Sequence, residues 1–268
     1  MSAFLQTLDA ISLLLPWVLA SIAGYALATN GLWLVLRRSG PDGWLRSVLR
    51  SIPGQLTLWL ARVLWLVGPG YAALLAGLLS PRSMGLSQIE LGWSLGRGLL
   101  FAAGALAMLL AAGLSYRRTR AAQPPYLTFS HGLAVTVLLV VEAGALQWQW
   151  AFYRSAMIDV LAAVQGPAPV YWGTWLGAAV LVVQGALNPW LWRDLRTPGL
   201  AERRVLRAAL LGATSVLYLV SRNFWLAWAL HGAAVAVLEP RVGQREQSTD
   251  KKTGSRQPDG HRQPVQPG

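Results

Sequence analysis

Apolar and polar positions alternate along this chain in long blocks, with little change from residue to residue. Seven apolar stretches stand out, near 11–36, 55–80, 94–115, 127–150, 170–192, 206–221 and 223–239. Most are close to the roughly 20 residues that a helix needs to cross about 30 Å of hydrocarbon. The fourth continues to about 165, because 151–164 is still mostly apolar, and this predicts a helix that is long and tilted or else broken. The sixth and seventh are short and joined only around Arg222. Between the first two blocks, 39–54 mixes Trp44, Leu45, Val48 and Leu49 with Arg46 and Arg50, the pattern of a short interfacial helix. The expected fold class is all-α: a polytopic transmembrane bundle of about seven helices over 1–240.

Composition agrees with a lipid solvent. Of 268 residues, 54% are hydrophobic and 13% charged, and the mean hydropathy is +0.41. A soluble domain carries about 25% charged residues. Cysteine is absent, which excludes disulfides, thiolate zinc sites and cysteine nucleophiles. With three histidines, His131, His231 and His261, a histidine metal cage is hard to build, and no metal or cofactor is expected. No zinc-protease helix motif and no Gly-rich phosphate loop occurs, and 212–215 does not form a serine-nucleophile turn.

The net charge of +12 could suggest nucleic acid, but the arginines sit at the ends of the apolar blocks. That placement reads as topology, so no nucleic-acid partner is expected and membrane lipid is. Arg37, Arg38, Arg46, Arg50, Arg117, Arg118, Arg120, Arg193, Arg196, Arg203, Arg204 and Arg207, with six basic residues after 240, fall on one side. Arg62 lies within the second block. Arg82, Arg97, Arg154 and Arg222 belong to the other side or its helix ends. Seven crossings then place the N-terminus outside and the C-terminus in the cytoplasm of a multi-pass inner-membrane protein. Residues 1–13 hold no basic residue, so no cleaved signal peptide is expected. From 241 to 268 the chain is polar, Pro- and Gly-rich, and is expected to be a disordered basic tail in the cytoplasm.

Ionisable and amide groups inside apolar blocks are costly and therefore candidate functional groups. Glu142 is the one acid deep within such a block. Gln149 lies seven residues on, about 10 Å along the same helix face, followed by Arg154. Gln184 and Asn188 are four apart and would share a face of the fifth helix. His231 lies in the seventh, with Asn223 at its start. Each has a plain structural reading too. A membrane Gln or Asn ordinarily makes an interhelical hydrogen bond of about 1–2 kcal/mol or less. Glu142 and Arg154 would pair with each other or elsewhere, and His231 would serve as a donor in the bundle core. The tryptophans near helix ends form an aromatic belt.

Four segments together resemble the CPBP family, the type II CAAX prenyl endopeptidases and bacteriocin-processing membrane proteins. They are MGLSQIELGWSLGRG (84–98), QWAFYRSAM (149–157), VVQGALNP (182–189) and GATSVLYLVSRNFWLAWALHG (212–232). The resemblance covers about 84–236 and implies a CPBP-like bundle. In that family a glutamate of a Glu-Glu-x-x-x-Arg motif activates water, histidines assist, and an asparagine holds the oxyanion. Matched position by position, Gln149 and Trp150 replace the two glutamates, Arg154 is kept, and Gln184 and Asn188 replace a Phe-x-x-x-His pair. His231 is kept, and Val235 replaces the asparagine. A neutral amide accepts no proton near pH 7, so the resemblance implies a degraded peptidase site. The expected function is binding of a peptide, a lipid-linked group or a partner membrane protein without cleavage, in a polar pocket that includes Gln149, Gln184, Asn188 and Asn223. Two other readings stay open: an active intramembrane endopeptidase with Glu142, Arg154 and His231 as catalytic residues, and a small-molecule or lipid transporter.

Overall fold

A computed structural model describes residues 2–40, 43–87, 93–119 and 133–238. Every regular element among them is helical: α1 (Ser2–Arg38), α2 (Trp44–Arg50), α3 (Ile52–Leu75), α4 (Trp93–Thr119), α5 (Leu133–Ala163), α6 (Pro169–Ala186), α7 (Pro189–Leu195), α8 (Pro198–Ser221) and α9 (Phe224–Leu238). Five of these contain stretches long and apolar enough to cross a membrane: Leu13–Arg38, Ile52–Leu75, Ser94–Ser115, Val135–Ala163 and Leu200–Ser221. The bent pair α6–α7 raises the number to six, and α9, also apolar, is shorter. This is the pattern of a multi-pass membrane protein. The expected tail at 241–268, His131, and residues 88–92 of the first resembling segment lie outside the described residues.

The expected blocks map onto these helices in order; one open alternative is settled and two blocks differ. The fourth block is one unbroken helix, α5, 31 residues long. The sixth begins at Pro198, because the polar first turns of α8 continue the helix beyond its apolar part. The fifth is bent by 84° after Ala186, where Pro189 starts a new helix and Asn188 caps it. The short helix expected within 39–54 is α2, and Ser51 between it and α3 accepts a bond from the Gly54 backbone.

α5 is the axis of the bundle. It packs most extensively on α6, and also on α9, α3 and α1. Two small residues one turn apart make the α5–α6 contact possible. A Cβ on Gly177 would lie 2.5 Å from the Cα of Arg154, and one on Gly173 would lie 2.6 Å from the Cα of Ile158. Small residues at this spacing let helix backbones approach in lipid, where packing, more than water release, drives association. The core around this contact joins Leu14, Val18, Ala73, Met84, Ala151, Phe152, Tyr153, Ala156 and Phe224. A second cluster, with Trp150, Leu210, Ala234, Val235 and Leu238, lies between α5, α8 and α9.

The segment after α3 closes one end of the bundle. Gly85 sits at φ 78°, a conformation favouring glycine, and a Cβ there would meet the Arg222 carbonyl oxygen at 2.7 Å. Its own carbonyl accepts from the Phe224 N–H at 3.1 Å, which ties the segment to the start of α9. At the opposite end, Asp194 of α7 accepts from Arg204 of α8 at 2.6 Å and holds that corner.

Candidate functional site

Among the described residues, four arrangements of polar side chains are built on α5. The first surrounds Glu142. Its Oε1 accepts from Arg62 of α3 at 3.0 Å and from Arg207 of α8 at 2.9 Å, and the charge of Arg203 also acts on it. Arg62 lies about 15 Å from the start of α3, and Glu142 and Arg207 lie about 13 Å from the starts of α5 and α8. Equal depth on three helices lets two long side chains converge on one carboxylate. The expected alternative partner, Arg154, is not involved.

The second arrangement contains His231, which is fully buried. Gln147 Nε2 lies 3.0 Å from its Nδ1, and the Trp150 ring stacks on it, with centroids 5.0 Å apart and planes 24° from parallel. If the imidazole accepts at Nδ1, its proton sits on Nε2. That nitrogen and Gln147 Oε1 have no hydrogen-bond partner.

The third is a chain of neutral groups. Gln149 Nε2 donates to Gln184 Oε1 at 3.2 Å, and Gln184 Nε2 donates to the Tyr153 hydroxyl at 3.0 Å. That hydroxyl lies 2.8 Å from Ser21 Oγ of α1. Four side chains from three helices are thereby linked, and none of them is a base at neutral pH. Each link satisfies groups that would otherwise be stranded in a low-dielectric interior.

The fourth holds Arg154, which is 3% exposed. Its guanidinium carbon sits 3.7 Å from the centroid of the Tyr218 ring of α8. A desolvated cation–π contact of this kind contributes about 2 kcal/mol. The Tyr218 hydroxyl donates to the Ser83 carbonyl at 2.8 Å, and Ser83 Oγ lies 2.6 Å from Ser155 Oγ, so the segment after α3 seals this region. Among the described residues no acid pairs with Arg154, and its Nε and Nη2 have no partner.

The remaining expected site residues are capping groups. Asn188 does not share a helix face with Gln184, because the chain has already turned. Its Oδ1 accepts from the Trp190 N–H at 3.0 Å, and its Nδ2 donates to Tyr25 at 2.8 Å. Asn223 Oδ1 accepts from the backbone of Trp225 at 2.8 Å and of Leu226 at 3.2 Å, the N-cap of α9. The expected residues thus do not all bond to one another. Gln149 and Gln184 meet directly, His231 meets Gln147 and Trp150, and Glu142 meets arginines.

Sequence reasoning missed the partners Arg62, Arg207, Tyr153, Ser21 and Tyr218. A signal existed only for Arg62, which lies within an apolar block of the sequence as Glu142 does, whereas Arg207 falls at the edge of the block read at 206–221. Among the described residues no group of three His, Asp or Glu could hold a metal ion.

No family model, curated protein or solved structure matches this chain.

Proposed function

We propose that this chain is a CPBP-like inner-membrane protein that binds a peptide, a lipid-linked group or a partner membrane protein and does not cleave it. In this reading the chain crosses seven times, with α6–α7 and α9 as the shorter crossings, the N-terminus outside and the C-terminus in the cytoplasm. The observation that carries the proposal is the Gln149–Gln184–Tyr153–Ser21 chain. Gln149 stands at the position that the resemblance gives to the water-activating glutamate, and its amide is spent on another amide. General-base catalysis needs a basic atom about 2.6–3.2 Å from the proton it takes. Glu142, the nearest carboxylate on the same helix, is engaged by two guanidinium groups, and Trp150 covers one face of His231.

The test uses the full chain, first in cell membranes for crosslinking and then in nanodiscs for the peptide incubations. A photo-crosslinking amino acid at Leu181, which packs against both core clusters, is illuminated in cell membranes before purification. The expected result is a discrete adduct that weakens in His231→Ala while the folded yield stays the same. Prenylated CAAX-type peptides and transmembrane peptides stay intact over the same period. Cleavage that disappears in Glu142→Gln, with folding unchanged, would replace this reading with the rearranged endopeptidase. If His231→Ala lowers only the folded yield, the polar core is structural.

A further inference from the structure

We propose that the guanidinium of Arg154 is half of an anion site, and that Nε and Nη2 together hold a compact monovalent anion, a halide or a carboxylate, inside the bundle. The two unpartnered nitrogens belong to one edge of the guanidinium, the edge that grips a carboxylate with two parallel N–H bonds. The Tyr218 ring covers a face of the group, and neither nitrogen of that edge has a partner.

The comparison within the molecule is direct. Arginines join α5 and α8 at two levels. At one level Arg207 of α8 reaches Glu142 of α5, and at the other Arg154 of α5 reaches Tyr218 of α8. The levels are about 18 Å apart along α5 and about 16 Å apart along α8. At the first level the protein supplies the anion. At the second, where the arginine is more deeply buried, it supplies an aromatic face and two stranded donors. Asp159, the nearest acid further along α5, hydrogen-bonds to Ser83.

Crowding sets the size of the occupant. The α6 backbone at Gly177 lies against the Arg154 backbone, and Phe152, Tyr153 and Ser155 around it are fully buried. A halide or the end of a carboxylate suits such a place better than a phosphate ester. The inference needs only this fork and stands whether or not the polar core binds a peptide.

Thermal unfolding of the full chain in neutral maltoside micelles tests it, with chloride, bromide or formate replacing gluconate at constant ionic strength. Wild type is expected to gain about 5 °C, saturably. Arg154→Gln should lose the gain, and Arg154→Lys, which keeps the charge without the fork, should retain a fraction of it. A gain with chloride and bromide alone identifies a free halide. A larger gain with formate identifies the carboxylate end of a bound molecule. No anion effect in wild type, or an equal effect in Arg154→Gln, overturns the proposal. Should Arg154→Gln fail to fold, bromide anomalous scattering from wild-type crystals decides. A peak beside Nε and Nη2 supports the site, and a peak only elsewhere, or none, overturns it.

Discussion

The two halves of α5 are alike in sequence character and opposite in how they are held. From Val135 to Val141 the helix exposes Val135, Val137, Leu138 and Val141. Its anchor there is a carboxylate that borrows arginines from α3 and α8. From Ala151 to Ala156 every side chain is buried, and the backbone of α6 lies directly against it at Gly173 and Gly177. One half is joined by long side chains across gaps, the other by backbone approach. Both halves are mostly apolar, so hydropathy does not separate them. The difference comes from what the partner helices present, which is glycine in one case and arginine in the other.

This contrast predicts unequal sensitivity. The largest effect is expected at the backbone contact. Gly177→Leu forces a side chain into the Arg154 backbone, which cannot move aside without separating α5 from α6. Overpacking typically costs about 1–3 kcal/mol, and this site belongs at or above the top of that range. Folded yield and thermal unfolding in detergent would measure it. A tolerated Gly177→Leu would mean that the halves do not differ as described.

Glu142→Gln is expected to cost less, about 2 kcal/mol. It removes the Glu142 charge that Arg207 and Arg62 share, but the Glu142 side chain is 14% exposed and that of Arg62 45%. Double-mutant cycles sharpen the point. The coupling of Arg207→Ala with Glu142→Gln should exceed that of Arg62→Ala with Glu142→Gln, because the guanidinium of Arg62 is far more exposed and better able to find another partner. Equal couplings would show that burial does not rank the two bonds.

Tyr153→Phe removes a hydroxyl shared between Ser21 and Gln184 and should cost about 1 kcal/mol, read by thermal unfolding. The smallest effect is expected for Arg62→Ala alone, about 0.5 kcal/mol or less in the same assay.

The resemblance to the CPBP family drew attention to Gln149, Arg154, Gln184, Asn188 and His231, and the structure gives them unequal roles. Gln149 and Gln184 meet through their side chains, although 35 residues separate them. Asn188 parts from Gln184, although only four do. Spacing of four predicts a shared face only while the helix continues, and Pro189 ends it. Pro189, directly after Asn188, is the feature of the sequence that marks this stop.

What the sequence determined by itself was the helical class, the order and approximate extent of the apolar blocks and the short helix α2; that α5 is unbroken was left open. These follow from local rules: apolar runs of membrane length, proline positions and charged ends. Only the tertiary structure decided which polar groups pair, that Glu142 is held by Arg62 and Arg207, and that two nitrogens of Arg154 are left without partners. Pairing depends on the depth and rotation of helices against one another. In lipid these are fixed by close backbone approaches such as those of Gly173 and Gly177 of α6 against α5, and the rotation of one helix onto another is no property of a single helix.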